Sequence, residues 1–253
     1  MKLHTVLGAL LLTAPPLSLA AQTSTDVVVR VIARDAKLIG SGVGGVRVTL
    51  RDPSSGAVLA EGVQEGSTGE TSRIMAPHER GARIYDTDGA AAFTATVELE
   101  RPTFVEIVAE GPLGTPGSGP RATRTLLLVP GEHVRGEGIV LELYGFTVEL
   151  QHPDGAGAAT PGTPLTVTAR VTMLCGCPTE PGGLWDADDY TIVARLLENG
   201  RVLRETPLRF SGTTSVYSGS LTPERSGSFE LEVLAMDPAK GNFGVVRRTL
   251  VVR

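Results

Sequence analysis

Ser228-Phe229-Glu230-Leu231-Glu232-Val233-Leu234-Ala235-Met236-Asp237 places Phe229, Leu231, Val233 and Ala235 at every second position, with Glu230 and Glu232 between them. Side chains alternate across a strand, so this spacing puts one apolar row on one face and predicts a central β-strand. Working outward, Pro164–Val171, Tyr190–Leu197, Arg201–Leu208, Ser215–Leu221 and Val245–Val252 share the β-branched, short-period character of strands. Asn199-Gly200 separates two of them, as a two-residue hairpin turn requires. An apolar strand face needs a second sheet to cover it, and the series predicts an immunoglobulin-like sandwich over residues 145–253.

The first half repeats the pattern. Asp26–Arg34 is rich in valine, and Val46, Val48 and Leu50 alternate with Arg47, Thr49 and Arg51, which predicts a half-buried antiparallel strand. Asp52–Gly56 supplies a turn and Ala57–Gly62 the returning strand, with further strands at Pro102–Ala109, Thr123–Val129 and Gly138–Leu143. Gly45-Val46-Arg47-Val48-Thr49-Leu50, together with the Thr87-Asp88-Gly89 turn leading into Ala92-Phe93-Thr94, resembles the transthyretin-like or carboxypeptidase-regulatory-like sandwich modules of secreted bacterial proteins. That resemblance implies a structural or binding appendage and no reaction. The expectation is an all-β chain of two consecutive β-sandwich domains, residues 21–144 and 145–253, meeting at Tyr144-Gly145-Phe146.

Residues 66–81 are more than a hairpin needs. His78 and Arg80, after Pro77, are candidates for an ion or anion contact there. A solvated loop is the competing reading, because His78 has no second ligand nearby in sequence.

Thr172–Tyr190 interrupts the strands with both cysteines, the single tryptophan and a cluster of acids. Met173–Pro178 (Met-Leu-Cys-Gly-Cys-Pro), Pro181–Gly183 and Trp185-Asp186 resemble a group of exported bacterial two-sandwich proteins of unknown function. Cys175 and Cys177 leave three readings open. In a strand, i and i+2 lie about 6.6 Å apart, near the upper limit for a disulfide, and Gly176 relaxes that limit. Two thiolates on one face also suit copper(I), with Met173 as a thioether and His152 or His78 as a further ligand. Free or redox-active thiols are the third. Asp186, Asp188 and Asp189 could converge on calcium, but the distal glutamate of a calcium loop is missing, which favours solvated acids. Trp185 is a binding-loop candidate, although a lone tryptophan beside cysteine in such a sandwich is more often core.

Met1–Ala20 combines Lys2, a short apolar run and Ser18-Leu19-Ala20, a secretory signal peptide cut after Ala20. The mature chain is then expected in the periplasm or outside the cell, without a membrane span. The formal net charge is −5, and loss of Lys2 makes it one unit more negative, which argues against a nucleic-acid partner. The sequence has no Gly-x-Ser-x-Gly elbow, and Gly40–Gly45 has no following helix with which to cradle phosphate. The functional expectation is therefore a non-enzymatic accessory or binding protein without a cofactor, engaging a protein or cell-envelope partner through the Cys175–Asp189 loop, with Trp185, Asp186, Asp188 and Asp189, and through His78 and Arg80 of the Gly66–Gly81 loop. The alternatives are a copper-handling or thiol-redox protein and a non-catalytic subunit of an exported enzyme complex.

Overall fold

The computed structural model describes residues 22–115, 119–154 and 158–253; the expected leader lies outside them. Strand makes up 56% and helix 4%, so the fold class is all-β. Strands β1 (Thr23–Ala33), β2 (Val46–Arg51), β3 (Val58–Gln64), β4 (Phe93–Leu99), β5 (Thr103–Glu110), β6 (Arg121–Leu128) and β7 (Val134–Leu143) occupy the N-terminal half. The C-terminal half holds β8 (Phe146–His152), β9 (Ala158–Ala159), β10 (Leu165–Met173), β11 (Thr191–Glu198), β12 (Arg201–Pro207), β13 (Arg209–Phe210), β14 (Val216–Leu221), β15 (Gly227–Asp237) and β16 (Asn242–Val252).

In the N-terminal half a three-stranded sheet, β4-β1-β7, faces a four-stranded one, β3-β2-β5-β6. Strand β1 runs antiparallel to β4 and parallel to β7. Val46, Val48 and Leu50 are fully buried against Val27, Val29 and Val31, so the alternation in β2 marks its inner face. Strand β4 begins at Phe93, opposite Val29, so the backbone of Val31 has no β4 partner; Ile39 N–H donates to its carbonyl at 3.1 Å, which leaves the Val31 N–H to be satisfied. The fully buried Gln64 replaces the missing strand: Val31 N–H donates to its Oε1 at 2.6 Å, and its Nε2 donates to the carbonyls of Val31 and Ile39, both at 2.8 Å.

In the C-terminal half β13-β14-β10-β8 packs over β12-β11-β15-β16-β9. This is the A-B-E-D and C-F-G strand order of an immunoglobulin-like sandwich, extended by one strand at each end of the second sheet. Strand β15 is central, with Phe229, Leu231, Val233 and Ala235 buried. On its outer face Glu232 is also buried, because Arg195 of β11 and Arg247 of β16 flank it at 3.7 and 2.7 Å. Asn199 and Gly200 both have positive φ, as the hairpin between β11 and β12 demands.

The 66–81 stretch is mostly exposed, with Ile74 buried. It carries a short helix, α1 (Thr71–Ile74), and isolated bridges pair Glu65 with Ala92 and Ser67 with Ala90. The carboxylate of Glu137 accepts the backbone N–H groups of Ile84, Tyr85 and Asp86 at 2.9 Å each, and the buried Arg30 donates to Asp86 at 2.8 Å and to the carbonyl of Ala91 at 3.0 Å.

Gln64→Leu removes the side-chain acceptor of the Val31 N–H and puts an apolar side chain of similar volume in its place. The expected loss in urea unfolding is about 3 kcal/mol, because buried backbone groups lose their hydrogen bonds. An unchanged unfolding free energy would mean that the segment around Val31 satisfies itself in another way.

Candidate functional site

The Cys-Gly-Cys stretch closes the end of β10. Gly176 N–H donates to Met173 O at 2.8 Å, Met173 N–H to Cys177 O at 3.1 Å, and Cys175 and Cys177 form a disulfide. Gly176 has φ +77°, and a Cβ there would come 2.7 Å from Cγ1 of Val43 in the N-terminal half, so both conformation and proximity call for glycine. The chain then runs back beside β10 and is pinned by buried hydroxyls. Thr179 Oγ1 donates to Val171 O at 2.9 Å and accepts from Tyr217 Oη at 2.9 Å, while Thr179 N–H donates to Ser215 Oγ at 3.1 Å. A ring this small restricts the unfolded chain by no more than about 2 kcal/mol, so its main effect is on local shape.

Trp185 follows, and it is buried: its indole Nε1–H donates to Asp35 O at 2.9 Å, across to the turn that follows β1. Asp35 has φ +56°. Lys240 pairs with its carboxylate, Asn242 Nδ2 donates to Arg34 O at 3.3 Å, and Asn242 Oδ1 accepts from Gly145 N–H at 2.9 Å. The C-terminal half thus forms a socket for the Arg34-Asp35 turn. Trp185 belongs to that socket and not to a free surface.

The other sequence candidates are dispersed. Asp186 accepts from Asp188 N–H at 3.0 Å and caps a single helical turn, with Asp188 and Asp189 exposed beyond it. Met173 is buried, 4.0 Å from the Tyr190 hydroxyl. His152 is exposed and lies 3.5 Å from Asp154, and His78 is exposed with Nδ1 3.2 Å from Ala76 O; Arg80 is exposed too. Among the described residues no three His, Cys, Asp or Glu side chains converge as metal ligands.

Two tyrosines border the socket. Burial, followed by the charges of Asp237 and Asp35, pushes the Tyr190 hydroxyl well above the ordinary tyrosine value. Burial also raises Tyr217, against the lowering effect of its bond to Thr179. The hydrogen bond to Asp35 raises Lys240.

Beside the socket lies a feature the sequence reading did not anticipate, a cleft of about 970 Å³ between the halves. Its walls are β8 from Phe146 to Leu150, β16 from Phe243 to Arg248, and the Pro112–Thr115 and Gly119-Pro120 segments of the N-terminal half. Tyr144, Phe243 and Val245 line it although each is about half exposed, at 48%, 54% and 48%. No family model and no curated protein matches the chain. Among solved structures it is similar to an engineered protein (18% identity, TM-score 0.32, 50% of this chain and 24% of that one). It is also similar to the fibronectin(III)-like modules of Clostridium thermocellum CbhA (12%, TM-score 0.30, 90% and 92%) and to titin domains z1z2 in complex with telethonin (17%, TM-score 0.26, 92% and 96%). The chain spans about a quarter of the engineered protein. Likenesses this low add nothing to what the sheets themselves establish.

Raised tyrosine and lysine values have the same sign in linkage: stability is fully present below the unfolded values, about 10 for both, and is lost as pH rises toward the folded ones. Tyr190→Phe should therefore flatten the fall in urea midpoint between about pH 9 and 11, leaving the part due to Tyr217 and Lys240. An unchanged slope would show that Tyr190 is not buried as described.

Proposed function

We propose that this chain is an exported, non-catalytic accessory or binding protein, and that its contact surface is the cleft between its halves. The observation that carries the reading is the cleft itself, a concave site rimmed by half-exposed Tyr144, Phe243 and Val245. The Cys175–Cys177 disulfide suits an oxidising compartment and supports export. A copper site would need both sulfurs reduced, whereas a thiol-redox role has this disulfide as one of its two states. The transthyretin-like resemblance of the N-terminal half also supports an appendage role. In this reading the Asp186–Asp189 acids sit on the outside of the socket, and the partner is a protein or another cell-envelope component.

A photoreactive phenylalanine analogue placed at position 243 in the native host tests this, with the same analogue at Phe104 as control; Phe104 is exposed on another sheet. Position 243 should give a discrete cross-linked species on illumination, and position 104 should not. Equal adducts from both positions, or none from 243, would contradict the assignment of the cleft as contact surface.

A further inference from the structure

The sheet that holds β12, β11, β15 and β16 has a second face, opposite the core. Residues directly opposed on neighbouring strands point the same way, so the registers lay out this face in rows that cross the four strands. One row is Pro207, Val193, Leu234 and Val245. On one side of it Met236 stands opposite Phe243, and on the other lies the row Glu205, Arg195, Glu232 and Arg247. Phe243 is 54% and Val245 48% exposed, Pro207 is exposed, and Leu234 and Met236 are half-buried. An apolar strip across four strands of an outward sheet face is the kind of surface on which another protein packs.

The charged row identifies the partner. Arg195 donates to Glu205 at 2.6 Å and lies 3.7 Å from Glu232, and Arg247 donates to Glu232 at 2.7 Å. The row has no net charge, so covering it leaves no charge unpaired. Its order, negative, positive, negative, positive, is also its own complement when reversed. A two-fold axis parallel to the strands, midway between β11 and β15, reverses the strand order of a second copy. Glu205 then meets Arg247 of the second copy, Arg195 meets Glu232 of the second copy, and the apolar row meets itself. A two-fold axis across the strands does worse. Through the charged row it sets Glu205 on Glu205 and Arg195 on Arg195, and through the apolar row it sets charges on Met236 and Phe243. An axis parallel to the strands also keeps the two sheets within the roughly 30° of aligned packing.

We propose that the chain forms a homodimer in which the outward face of β12, β11, β15 and β16 packs on the same face of a second copy, about a two-fold axis parallel to the strands. This goes beyond the cleft as contact surface and shares with it only Phe243, Val245 and Arg247 of β16. Four strands span about 14 Å, which places the contact at the lower end of specific interfaces and the equilibrium in the micromolar range.

The test is sedimentation velocity on the mature chain over roughly 1 to 200 µM. The parent should pass from monomer to dimer within that range. Glu205→Lys and Arg247→Glu should each weaken dimerisation by about tenfold or more, because each sets like charges against one another twice across the axis. An equimolar mixture of the two should associate as tightly as the parent, since the new cation of one then faces the new carboxylate of the other. Val245→Lys should abolish dimerisation, and circular dichroism checks that each variant keeps the fold. If Arg247→Glu does not fold, Glu205→Lys and Val245→Lys decide the matter. A parent that stays monomeric at the highest concentration, a dimer unmoved by Glu205→Lys or Val245→Lys, or a mixture of folded variants no tighter than its components overturns the proposal. With the photoreactive analogue at position 243, a product of twice the chain mass belongs to this dimer and a product of another mass to the partner in the cleft, so either can fail alone.

Discussion

The bond from the Trp185 indole to the Asp35 carbonyl fixes much of what surrounds it. A turn with an αL aspartate at its tip leaves backbone carbonyls that a buried setting must satisfy; Trp185 takes that of Asp35 and Asn242 that of Arg34, while Lys240, on the same hairpin as Asn242, pairs with the Asp35 carboxylate. Once that turn is seated, Val43 meets Gly176 and the Cys-Gly-Cys ring becomes a shaped contact between sandwiches. The buried side chains of both halves then form one continuous apolar cluster. Inter-domain contacts within a chain are commonly more polar and looser than a core. Here a buried indole and a chelating asparagine tie the two sandwiches together.

The cleft follows from the same arrangement. Docking at the Asp35 turn sets the N-terminal Pro112–Thr115 segment beside the lateral opening of the second sandwich, where β8 ends one sheet and β16 nearly ends the other. The chain passes from β8 to β9 and so changes sheets, and β9 pairs with the last residues of β16. The concave site beside them leaves Tyr144, Phe243 and Val245 half exposed.

Strands were legible in the sequence wherever one face is buried and the other wet, because a period of two survives in such segments: β2 and β15 are the clearest, and the Asn199-Gly200 turn was readable from its chemistry alone. The two-residue strand β13 was not, since two residues carry no period. Residues 66–81 read as a loop, and most of them are exposed; the order of the 84–91 stretch that follows comes from Glu137 and Arg30, more than fifty positions away in opposite directions for Asp86 and so without a local signal. The unusual character of the Cys175–Asp189 stretch was plain, and a disulfide was among its open readings. Its use was not: Trp185 finds its acceptor 150 residues away, and an outward-facing and an inward-facing tryptophan look alike in sequence. The cleft left no signal, because the spacing of two strand edges is set by tertiary packing and not by any local pattern.

The most direct measurement of this account is hydrogen exchange at the indole N–H of Trp185, a single resonance in a chain with one tryptophan. If the indole is locked onto Asp35 between the halves, its proton should exchange as slowly as the backbone amides of Val171 and Val233 in the sandwich core. Exchange at the rate of a free indole would mean that the halves do not dock through this turn, and the cleft built on that docking would fall with it.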